Sequence, residues 1–125
     1  MRHAILLSLL GLGACANQPS PDRLFPVFFN EYSVELDASS LAVIARAASI
    51  SKLHPGRVVH VGGYADPVGT PNETIRLSQR RADVVAAQLQ ADGVAASVLA
   101  RSAIGSPANS QPGIERRRVV IDIDI

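Results

Sequence analysis

Val58-Val-His-Val-Gly-Gly-Tyr-Ala-Asp-Pro-Val-Gly-Thr-Pro-Asn-Glu-Thr-Ile-Arg-Leu-Ser-Gln-Arg-Arg-Ala82 reads as a strand, a turn and the start of a helix in one run. The β-branched Val58, Val59 and Val61 favour a strand, and the Gly62-Gly63 pair that ends it lets another backbone or a ligand approach closely. Asp66 falls at the carboxyl end of that strand, biased toward extended dihedrals by Pro67, and Gly69 punctuates a turn. Thr70 has the marks of a helix N-cap, with Pro71 as the first helical residue and Glu73 as its capping-box partner. Beyond it Ile75, Ser78, Ala82, Val85, Ala86 and Leu89 recur on one helical face, Arg76, Arg80 and Asp83 on the other, and Arg81 on the border. A helix packed beside the strand end brings Arg81 near Asp66. An acid and an arginine that do not consume each other suit a zwitterion, the carboxylate accepting from an ammonium and the guanidinium forking onto a carboxylate. The same spacing also fits an Asp that caps a turn and an Arg that pairs with it structurally.

Gly63-Tyr-Ala-Asp66, then Gly69, then Leu77-Ser-Gln-Arg-Arg-Ala82 resemble the core signature of the OmpA-like, peptidoglycan-associated lipoprotein family, and the likeness runs from about Val27 to the C-terminus. The resemblance implies a domain that holds peptidoglycan without covalent bonds by gripping the diaminopimelate of the stem peptide. By that likeness Asp66 takes the side-chain amine, Arg81 takes a carboxylate, and Arg117 matches the first arginine of a late Asn-Arg-Arg-Val pattern. Tyr32 in the loop after the first strand, Gly69 and Thr74 join these as candidate ligand contacts on the same basis. The chain departs from the pattern where Tyr64 and Ala65 replace His and Thr, Thr74 replaces Asn, and Arg116 replaces the Asn before the paired arginines.

Met1-Arg-His opens with positive charge, and Ala4 to Ala14 is small and apolar apart from Ser8. That run is too short to span a bilayer, which needs about 20 residues, and reads as a signal-peptide core occupying residues 1–14. It ends at Leu12-Gly-Ala-Cys15, which resembles a bacterial lipoprotein processing box. Cys15 is the only cysteine, so no intramolecular disulfide forms and acylation is its simplest use. The resemblance implies a diacylglyceryl thioether and an acylated amine there, with palmitate-type chains giving stable anchoring. Ala16, rather than Asp, points to the outer membrane with the domain in the periplasm. Residues 15–24 are then the acylated cysteine and a short Pro-containing linker, and residues 25–125 the domain.

All three Phe residues lie between Leu24 and Phe29, where Val27 to Phe29 reads as the first strand. Asp37 caps a first helix with Leu41, Ile44, Ala45 and Ala48 on one face, ending before His54-Pro-Gly56. The second helix runs from Pro71 to about Ala91. Ser97 to Ile104 gives a third strand, residues 105–113 a loop, and Arg117 to Ile125 a half-buried strand with Val119, Ile121, Ile123 and Ile125 facing one way. Arg116, Arg117 and Arg118 at the start of this strand fit a solvated edge that blunts sheet pairing as well as they fit a ligand role, and the alternation puts Arg117 on the helix-covered side and Arg116 and Arg118 on the other. The order β-α-β-α-β-β makes one α/β (α+β) two-layer sandwich, a mixed four-stranded sheet with two helices on one face.

The full chain has 12 Lys and Arg against 11 Asp and Glu, and loss of Arg2 with the leader makes them equal, which disfavours nucleic acid as partner. His54 and His60 lack further ligands at metal spacing, so no metal or cofactor is expected. Ser78 has no His in a nucleophile's arrangement, and a lone pocket acid does not suffice for glycoside hydrolysis, so no enzyme is expected. The expected protein is an outer-membrane lipoprotein that links membrane to cell wall. The alternative is an accessory lipoprotein of the Tol system, a secretion machine or a motor, using the fold to bind protein.

Overall fold

The computed structural model describes residues 23–67, 69–106 and 113–125. The expected signal segment, Cys15 and most of the expected linker lie outside the described residues, as does the greater part of the expected 105–113 loop. Strand β1 (Leu24–Phe28) leads to helix α1 (Ala38–Leu53), β2 (Val59–Tyr64), α2 (Pro71–Ala91), a 3-10 turn (Ala96–Val98), β3 (Leu99–Gly105), the one-turn helix α3 (Gly113–Arg116) and β4 (Arg118–Ile123). The expected sandwich is present. The short α3 and the 3-10 turn are additions to it, the latter claiming Ser97 and Val98 from the expected third strand.

The sheet order is β1-β4-β2-β3. The last strand inserts between the first two and runs antiparallel to both, while β2 and β3 are parallel and joined across α2. A central position explains the alternation of β4, whose Val119, Ile121 and Ile123 are wholly buried under the helices. Ile125 continues the pattern in sequence but lies past the strand and is exposed. Pro26 is tolerated because β1 is an edge strand, where a missing N–H costs no ladder bond.

The helix ends follow their local chemistry. Asp37 accepts from the amide of Ser40 at 2.8 Å, which holds its carboxyl below the usual range. Thr70 and Glu73 form the expected reciprocal capping box, with Thr70 N donating to Glu73 Oε2 at 2.8 Å. Gly69 takes a positive φ of 56°, and a Cβ there collides with that Glu73 carboxylate.

The buried faces differ from expectation at several positions. Helix α1 buries Ser40, Ile44, Ala47, Ala48 and Ser51 rather than Leu41 and Ala45. So Ala-rich a helix has no strongly polar side to set its phase, and its small residues let it sit close to the sheet. Helix α2 buries Thr74, Leu77, Ser78, Arg81, Ala82, Val85, Ala86 and Leu89, leaving Ile75 at its flank. Gly63 is where α2 meets β2, and a Cβ there runs into the backbone carbonyl of Ser78. Backbone cannot yield as a side-chain tip does. Gly63→Ala is therefore expected to destabilise by about 1–3 kcal/mol, read as a lowered melting temperature by circular dichroism, and an unchanged transition would contradict this contact.

Candidate functional site

Three chain segments converge at one end of the sheet: the loop after β1, the carboxyl end of β2, and the start of β4. Arg81 of α2 ties two of them together. Its Nε donates to Ser33 O at 2.9 Å, Nη1 to Tyr64 O at 3.2 Å and Nη2 to Asn30 O at 3.0 Å, with the guanidinium 5.2 Å from the centre of the Phe29 ring. Expected on the helix border, Arg81 is instead fully buried, because three carbonyls supply the acceptors that a desolvated guanidinium requires. Burial lowers its pKa, Asp66 opposes that shift and Arg117 adds to it. An arginine remains charged under such a shift.

Asp66 is not joined to Arg81. Its carboxylate accepts from Arg117 Nη1 at 3.4 Å, and the same nitrogen lies 3.9 Å from Glu31 Oε1. Arg117 is aimed by its own chain: Nε donates to Phe29 O at 3.2 Å while its carbonyl accepts from Phe29 N at 2.8 Å. These groups enclose a cavity of about 270 Å³ lined by Asp66, Arg81, Arg117 and Tyr32, with Glu31, Pro67, Leu77 and Arg116 completing the wall. The cavity is more polar than apolar and holds carboxylates and guanidiniums on its wall without a direct Asp66–Arg81 pair. Arg81 has N–H groups beyond the three engaged, and Arg117 keeps one terminal nitrogen outside its ion pairs.

The expected contacts divide. Asp66, Arg81, Arg117 and Tyr32 share the cavity; Gly69 and Thr74 do not, and instead line an adjoining, largely apolar groove with Ile75 and Gly105. The Thr74 side chain turns back to Thr70 O at 3.3 Å, and Gly69 serves the turn that admits Glu73. Glu31 and Arg116 reach the cavity unforeseen. Arg116 ends a helical turn rather than beginning the strand, so strand alternation does not govern it, and its buried Nε has no hydrogen-bond partner. Arg118 does follow the alternation: it pairs with Glu115 Oε2 at 2.8 Å and lies 4.7 Å above the Tyr64 ring, away from the cavity. Ser78, buried, accepts from Gly105 N at 3.1 Å and donates to Ile75 O at 2.8 Å, a structural tie between α2 and β3. Among the described residues no group of His, Cys, Asp and Glu is arranged to hold a metal, and no helix is long and apolar enough to cross a membrane.

The OmpA family profile matches residues 28–118, which contain every residue of the cavity. The chain is 37% identical over 83 residues to "Probable lipoprotein YiaD" of Escherichia coli, covering 66% of this chain and 37% of that protein. It is 33% identical over 97 residues to "Peptidoglycan-binding protein ArfA" of Mycobacterium bovis, covering 75% of this chain and 30% of that protein. It thus spans about a third of the length of these curated relatives. Its fold is similar to that of the peptidoglycan-associated lipoprotein from Burkholderia pseudomallei, with TM-score 0.73 and 23% identity over 86% of this chain and 97% of that one. It is also similar to the C-terminal domain of Helicobacter pylori MotB, with TM-score 0.68 and 27% identity over 80% of this chain and 84% of that one.

Proposed function

The chain belongs to the OmpA family, and from that premise we propose that it is a non-catalytic peptidoglycan-binding domain whose cavity grips the diaminopimelate of the stem peptide. The observation that carries this reading is the placement of Asp66 and Arg81 on one cavity wall without a bond between them. The ligand's ammonium is received by Asp66, with Glu31 beside it, and its carboxylate by Arg81 and the unpartnered Nε of Arg116. Arg117 orients Asp66 and keeps the carboxylate facing inward. Charge-assisted bonds of both signs give selectivity for a group that is itself doubly ionic.

The protein acts as an outer-membrane lipoprotein in this proposal, anchored through acyl chains on Cys15 and facing the periplasm. Strand polarity supports that geometry. The chain enters the domain at Leu24, the far end of β1, whereas the cavity forms after Phe28, about 17 Å further along at the usual strand rise. The point where the chain enters the domain and the cavity therefore lie at opposite ends of β1. The alternative, a protein-binding accessory of the Tol, secretion or motor type, would be favoured by the departures from the family pattern at Tyr64, Ala65 and Thr74 if they stood inside the site. None of those side chains lines the cavity: Ala65 is fully buried and the Tyr64 ring lies beneath Arg118.

Cosedimentation with purified sacculi tests the proposal. The domain is expected in the pellet and is released by free diaminopimelate but not by equal lysine. Failure to pellet, or release by both alike, would contradict it.

A further inference from the structure

A second opening adjoins the cavity. It measures about 300 Å³ and is lined by Tyr32, Glu73, Arg76, Leu77 and Arg80, so that Tyr32 and Leu77 belong to both spaces. Residues 73, 76, 77 and 80 recur at the spacing of one helical stripe, and α2 therefore presents Leu77 and Arg81 to the cavity and Arg76 and Arg80 to the groove. Both arginines of the groove are exposed, and among the described residues neither guanidinium makes an ion pair or hydrogen bond. Arg23, Arg101 and Arg118, by contrast, each hold a carboxylate. The acid within the groove, Glu73, is already committed to the Thr70 amide.

Tyr32 separates the two spaces in a conformation that requires support. Its φ of 54° is uncommon for a residue with a side chain. Arg81 supplies that support by holding the carbonyls of Asn30 and Ser33 on either side of it. The partition is thus fixed by the same residue that faces the cavity.

We infer that the Arg76–Arg80 groove binds a second carboxylate of the stem peptide, one residue away from the diaminopimelate in the cavity; this rests on the function proposed above. Two unpaired guanidiniums four positions apart suit a carboxylate, and a ligand residue reaching past Tyr32 stays in contact with Leu77. Two neighbours of diaminopimelate in a stem peptide carry such a group: the γ-linked glutamate, with its free α-carboxylate, and the terminal alanine. The chemistry at the groove is the same for both.

The experiment is a calorimetric titration, at low ionic strength, of wild type and Arg76→Gln/Arg80→Gln with four diaminopimelate tetrapeptides: both carboxylates free, glutamate amidated, alanine amidated, and both amidated. The free peptide is expected to bind wild type about fivefold more tightly than the variant, as partly exposed pairs allow. One of the single amidations is expected to erase that difference, which identifies the carboxylate. Equal binding of the free peptide by both proteins, as for merely solvated cations, would overturn this inference alone, as would a deficit that persists on the doubly amidated peptide. A wild type that binds none of the four would overturn it together with the function on which it rests.

Discussion

Asp66→Asn is expected to release the protein from sacculi while leaving it folded. The substitution keeps the side chain's shape but removes the charge that would receive the ligand's ammonium. Truncating one member of a buried charge pair costs about 2 to 5 kcal/mol, and because 27% of the Asp66 side chain is exposed the lower end applies, about a thirtyfold loss of affinity. The fold has little reason to follow. Arg117 retains its bond to the Phe29 carbonyl and still has Glu31 nearby, and the Asp66 pair is only partly desolvated. Binding by sedimentation and melting by circular dichroism, measured on the same preparation, separate the two effects. Undiminished retention of a folded variant would remove Asp66 from the site.

Arg81→Ala carries the largest expected cost to the fold itself. It removes donors from the carbonyls of Asn30, Ser33 and Tyr64 together, and vacates a fully buried volume against Phe29. Unsatisfied buried acceptors cost about 1–3 kcal/mol each when water cannot replace the donor, but this cavity admits some water, so about 3–5 kcal/mol in all is expected. For a domain of this size that lowers the melting temperature by on the order of 15 °C or more. Arg81→Lys keeps the charge yet cannot reproduce three donors in a planar fork, and should recover only part of the loss. Denaturant unfolding of the three proteins decides the matter, and an Ala variant as stable as wild type would show that the carbonyls find other partners.

The same residue marks where sequence reading reached its limit. The strand end, the turn and the Thr70–Glu73 capping box were legible because each is settled within a few residues by local backbone chemistry. The burial of Arg81 is settled by acceptors up to 51 positions away, which no helical periodicity contains. Asp66 likewise finds its partner 51 positions on, in Arg117, rather than 15 positions on in Arg81. Strand alternation placed Arg117 and Arg118 on opposite faces but failed for Arg116, because a helical turn intervenes. Helix α1 was displaced in phase for a different reason: with Ala and Ser on nearly every side, the sheet alone chooses which small residues it faces. Gly69 and Thr74 belonged to the right motif yet support the turn and helix start beside the cavity rather than its wall.

The central claim is that opposite charges on one cavity wall clasp the doubly ionic end of diaminopimelate, and titration with matched stem peptides tests it most directly. A peptide bearing lysine in place of diaminopimelate retains the amine for Asp66 and lacks only the carboxylate assigned to Arg81 and Arg116. The diaminopimelate peptide is predicted to bind about tenfold or more tightly, the scale of one charge-assisted contact. Equal affinity for the two would contradict the account.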